Sequence, residues 1–155
     1  MKKSKFGKAR VLNPYFKKKG KKDVFLIEAQ PIKDQERLFV VFESVSSPWK
    51  QGVWLMTDKG IVIAGQHCKS VTLWQQTAPT EVECLCHTKD GILTLYNIWD
   101  SGRGLGLESQ SMTSGFLVED LPNGTRYRCN DIGTDPDFSK LVIQVITVRL
   151  YSSAY

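Results

Sequence analysis

The chain is written in short runs of β-branched, aromatic and aliphatic residues, each closed by a turn rich in Gly, Asp, Asn or Pro. No window of about 11 residues sustains a helical period. This pattern constrains the fold more than any other feature. A strand sends alternate side chains to opposite faces, so such runs bury an apolar face only by stacking on others like themselves. Strands are predicted at Val24–Ala29, Arg37–Val45, Gly52–Met56, Ile61–Ala64, Val71–Gln75, Val82–Cys86, Ile92–Trp99, Phe116–Glu119, Thr125–Cys129 and Leu141–Tyr151. The run Leu38–Phe42 reads as buried on both faces. Thr57–Gly60 reads as a hairpin turn, Lys89–Gly91 as a turn, and Pro122–Gly124 as a second hairpin. Strands at a spacing of about 8–12 residues predict an all-β fold, an antiparallel two-sheet β-sandwich with jelly-roll connections.

A chain of 155 residues has room for one such domain. Charge divides it unevenly. Residues 1–22 hold ten of the 21 basic side chains and no acid, leaving 11 basic and 16 acidic side chains in the remainder. The formal charge of +5 is therefore a +10 arm on a −5 body. The division predicted is an irregular basic arm over 1–22 and a β-sandwich domain over 23–155, with Val11-Leu12 and Tyr15-Phe16 as apolar anchors. No apolar stretch of about 7–15 residues follows the basic start, and none approaches the roughly 18 residues of a membrane span. A cytoplasmic protein without a membrane span is the expectation, with its four cysteines as free thiols.

The arm is the largest functional signal. Lys8, Arg10, Lys17, Lys18, Lys19, Lys21 and Lys22 offer charge for a polyanion or a protein partner, and Tyr15 and Phe16 offer rings that stack on unpaired bases. A second signal is the run from Trp99 to Ser111, with glycines at 102, 104 and 106. Its spacing fits neither a dinucleotide fingerprint nor a P-loop. Asp100, Arg103, Glu108 and Gln110 are the ligand-binding candidates it carries, and Trp49 in the Ser46–Gly52 loop is the aromatic expected to be exposed. Cys84 and Cys86 share one face of a strand, and His87 points the other way, a geometry of buried thiols rather than a zinc chelate.

The third signal lies in the acidic stretch 130–138. Closely spaced oxygen ligands in a bending loop suit calcium. Asp135, Asp137, Phe138, Leu141 and Val142 match a D-x-D-F-N-D-L-V pattern, with Ser139 and Lys140 standing where it has Asn and Asp. On these residues the segment 131–142 resembles the calcium-type loop of bacterial β-sandwich modules. The resemblance implies a calcium site involving Asp131, Asp135 and Asp137.

These features predict a non-enzymatic binding module. It presents loops 100–111 and 130–138, and its arm provides electrostatic attachment to a protein partner or to another copy. The alternatives are a small nucleic-acid-binding protein that uses the arm, and a metal-dependent hydrolase or lyase on the sandwich.

Overall fold

A computed structural model describes residues 9–133 and 136–147. Lys8, Asp135 and the end of the last predicted strand, from residue 148, lie outside the described residues. The elements in chain order are β1 (Val11–Leu12), α1 (Pro14–Lys18), β2 (Phe25–Pro31), β3 (Glu36–Val45), β4 (Lys50–Ile63), β5 (Gln66–Trp74), β6 (Glu81–Cys86), β7 (Ile92–Asp100), β8 (Gly115–Leu121), β9 (Gly124–Asn130) and β10 (Leu141–Ile146). Among the described residues no helix is long and apolar enough to cross a membrane.

The strands do not form two sheets. Eight of them close on themselves in the order β2-β7-β4-β6-β3-β10-β9-β8, and β8 returns to β2 where Phe116 faces Phe25. β1 pairs with β2, and β5 pairs with β4 outside this ring. The predicted sandwich and jelly roll are therefore replaced by a closed antiparallel β-barrel. The reason lies in strands that bend and keep their hydrogen bonds on both sides of the bend. β4 pairs with β7 through Lys50–Met56 and with β6 through Ile61–Val62. β2 and β3 follow suit, pairing with β7 and β6 on either side of the corner at 32–35. A ladder that continues round the corner leaves no edge at which one sheet could end and a second begin.

The corner also corrects the first hairpin. Thr57–Gly60 is a bulge within β4, and the chain reverses at Ala64-Gly65, between the partners Ile63 and Gln66. Asp58 turns no chain of its own. Its carboxylate accepts from the Thr88 hydroxyl (3.0 Å) and from the Lys89 (2.9 Å) and Asp90 (3.0 Å) amides, and so caps the neighbouring loop. Gly60, at φ 96°, lies so close to the His67 ring that a Cβ there would collide with it.

Inward positions follow the period of two. Leu38, Val40 and Phe42 of β3 enter the core, whereas Phe39 and Val41 are only half-buried, so β3 is not buried on both faces. Val82, Cys84 and Cys86 enter together from β6. Burial pushes the thiols of Cys84 and Cys86 up to about 12. The arm also departs from the irregular expectation, since residues 11–12 are strand and 14–18 are helix. Its two apolar pairs lie in those elements, and Phe16 is buried.

Candidate interaction site at the loop end of the barrel

The connections β3–β4, β7–β8 and β9–β10 meet at one end of the barrel. The Ser46 amide donates to the Lys140 carbonyl (3.1 Å) and the Ser47 hydroxyl to Asp131 (3.0 Å). Asn130 Nδ2 donates to the Thr113 carbonyl (2.6 Å), and the Gly133 amide to the Thr113 hydroxyl (3.2 Å). The segments singled out in the sequence thus share one end of the molecule, though they are far apart in the chain.

The arm from residue 9 onward packs onto this end. Asn13, which is buried, caps α1 by accepting from the Tyr15 amide (2.8 Å), and Pro14 follows at the first helical position. The same side chain donates to the carbonyls of Met112 (3.0 Å) and Ser114 (2.7 Å), tying the helix start to the β7–β8 connection. Phe16 packs on Phe138 with ring centroids 6.0 Å apart, tying the helix to the β9–β10 connection.

Upstream, Arg10 Nε donates to Glu28 Oε1 (2.6 Å), and the Tyr127 hydroxyl donates to Glu28 Oε2 (2.6 Å). The Glu28 carboxylate is fully buried. Burial and the neighbouring Glu28 charge push the Tyr127 phenol well above its ordinary range, so it stays a donor. Glu28 was not singled out in the sequence. The available signal was an acid in phase with Val24 and Leu26 in an apolar strand, since a buried acid needs a partner.

Between α1 and the β7–β8 connection lies a cleft of about 400 Å³, lined in part by Tyr15, Lys18, Lys19, Gln110, Ser111 and Met112. Among the described residues no carboxylate lines it. Lys19 Nζ sits 4.6 Å from the centroid of the Tyr15 ring. Lys17, Lys18 and Lys22 form no ion pair among the described residues, while Lys21 reaches Asp23 (3.1 Å). Met112 is 68% exposed. Gln110 holds a left-handed backbone, φ 53°, which costs a residue with a Cβ about 1–2 kcal/mol.

Of the ligand candidates, only Gln110 lines this cleft. Arg103 and Glu108 brace their own loop through an ion pair of 2.6 Å. Glu108 also accepts from the hydroxyl and amide of Ser101, and these bonds, with Arg103, hold its carboxyl down at about 2. Asp100 accepts from the Gly102 amide (2.9 Å), an Asx-type turn. Trp49 is half-buried, with its amide on the Ser47 hydroxyl.

The acidic stretch is engaged internally. Asp131 is fully buried, with Oδ1 on Lys140 Nζ (3.0 Å) and Oδ2 on Ser47 and Gln51. Lys140 thus supplies within the chain the positive charge that a metal would bring. Asp137 accepts from the hydroxyl and amide of Ser139, which holds its carboxyl below the ordinary range. Among the described residues, no three His, Cys, Asp or Glu side chains are grouped to hold a metal ion.

A further cleft, about 530 Å³, lies at the barrel corner, where Met56 and Ile92 meet Lys59, His67 and Lys69. Sequence reasoning did not anticipate it, because it exists only where the β4 bulge faces the 88–91 loop. No protein-family model, curated protein or solved structure matches the chain.

Proposed function

We propose that the protein is a non-enzymatic binding module that attaches to an anionic partner through the loop end of its barrel. One observation carries this reading. The basic segment from residue 9 onward is held against the body where the loops converge, around a cleft with lysines and, among the described residues, no carboxylate on its walls. The acids nearby are already engaged, Asp131 by Lys140, Glu108 by Arg103 and Asp23 by Lys21. The body's acids thus pair Arg10 and Lys21 of the arm, while Lys17, Lys18, Lys19 and Lys22 form no ion pair among the described residues. Loops on a rigid barrel suit recognition because the scaffold fixes their geometry before the partner arrives.

The test is the affinity for inorganic polyphosphate as a function of salt. It is expected to fall steeply, because each lysine that neutralises a phosphate releases counterions. Replacing Lys17, Lys18 and Lys19 by Gln should lower that slope by about 2 while leaving the thermal midpoint unchanged. Absence of binding at low salt, or affinity indifferent to salt, would refute the reading.

A further inference from the structure

We infer that the partner at the cleft between α1 and the β7–β8 connection is single-stranded nucleic acid, with one base against Tyr15 and the flanking phosphates on Lys17, Lys18, Lys19 and Lys22. The inference rests on the proposed polyanion-binding role of this end and names the partner class.

The cleft combines what a nucleotide needs within a short span. Tyr15 offers an aromatic surface, half-buried and steadied edge-on by Phe16 at 5.1 Å. Met112 and Leu26 extend the apolar floor. Lys18 and Lys19 stand on the same wall, and Lys19 is within 4.6 Å of the ring, so charge and stacking surface lie within one nucleotide's reach. Gln110 makes no hydrogen bond among the described residues, which leaves its amide able to meet the polar edge of a base. The volume of about 400 Å³ falls in the range of small-ligand sites.

Other polyanions fit less well. A duplex keeps its bases stacked away from a cleft of this kind and presents mainly phosphates. An anionic bilayer would be met by an apolar helix face, but α1 has only five residues and turns Phe16 into the body. A sulfated or phosphorylated polymer without rings would leave Tyr15 and Met112 unused.

The experiment is fluorescence anisotropy on the intact chain with short oligo(dT) and oligo(U), alongside duplex DNA, inorganic polyphosphate and phosphatidylserine vesicles. Tyr15→Ala should weaken oligonucleotide binding about tenfold, as loss of one stacked base does, and leave polyphosphate binding unchanged. Tyr15→Phe should restore it. Lys18→Gln with Lys19→Gln should weaken both and lower the salt slope by about 1.4 for single strands. Gln110→Gly, which relaxes the backbone, should keep the fold and weaken oligonucleotide binding alone. If Tyr15→Ala binds oligonucleotides as the parent does, or vesicles bind and oligonucleotides do not, the inference is overturned while the polyanion reading survives. If polyphosphate fails to bind as well, both fall together.

Discussion

Glu28 shows how much a single residue decides here. Its buried carboxylate accepts from Arg10 of the arm and the Ala29 amide at one oxygen and from Tyr127 of β9 at the other. Removing one donor leaves an acceptor buried without a partner, which costs more than the bond itself contributed. Tyr127→Phe is expected to destabilise the protein by about 1–3 kcal/mol, read from urea unfolding at neutral pH. The effect should exceed that of Tyr15→Phe, since the Tyr15 hydroxyl makes no hydrogen bond among the described residues. Gly115 is decisive in another way. It sits beside the seam where β8 meets β2, at φ 131°, and a Cβ there would lie 2.5 Å from the Phe25 carbonyl oxygen. Gly115→Ala should therefore open the seam. A fall in stability of about 2 kcal/mol or more is expected, together with faster amide exchange along β8. An unchanged exchange pattern would mean that the ring does not depend on that contact.

At the scale of elements, the β7–β8 connection is a brace as much as a loop. Glu108 gathers Ser101 and Arg103 and pairs its backbone with Trp99. Its carboxyl, lowered from an ordinary value of 4.5 to about 2, makes the brace sensitive to acid. A depressed carboxyl contributes stability that is full above the unfolded value and fades as pH falls through the folded one. The difference in unfolding free energy between the parent and Glu108→Gln should thus be largest above pH 4.5 and shrink toward pH 2. A constant difference across that range would contradict the assignment. The β4–β5 reversal offers a complementary test. Ala64 (φ 50°) and Gly65 (φ 80°) both hold positive φ, the geometry of a type I′ turn. Ala64→Asn should raise stability by about 0.5–1 kcal/mol, measured as an increase in the urea midpoint.

For the whole molecule, closure decides which groups water can reach. Cys84, Cys86 and Cys129 are buried in the barrel, whereas Cys68 on β5, outside the ring, is half-buried. Burial raises the thiols of Cys84 and Cys86 to about 12 and that of Cys129 higher still. Native protein treated with iodoacetamide at pH 8 should be modified at Cys68 alone, by intact-mass and peptide analysis. Unfolding in urea should expose the other three. Rapid modification of Cys84 or Cys86 in the native state would mean that the barrel opens at β6.

The amino-acid sequence by itself determined the all-β class, the turn at Lys89–Gly91, the hairpin at Pro122–Gly124, the shared face of Cys84 and Cys86, and the uneven distribution of charge. Each of these is local. Period-two alternation, turn residues and net charge act over a few positions and need no partner to be read. The hairpin assigned to Thr57–Gly60 failed because Asp58 spends its oxygens on a loop about thirty residues away in sequence. The sandwich failed for a related reason. Alternation says which side chains turn inward, and it is the same for a strand that ends at a sheet edge as for one that bends and pairs on. Only tertiary structure decided that β8 returns to β2, that Glu28 receives Arg10 and Tyr127, and that the arm, the β7–β8 connection and Phe138 meet at one end. Those outcomes depend on pairings between distant parts of the chain, whose free energy comes from contacts that exist only once the barrel has closed.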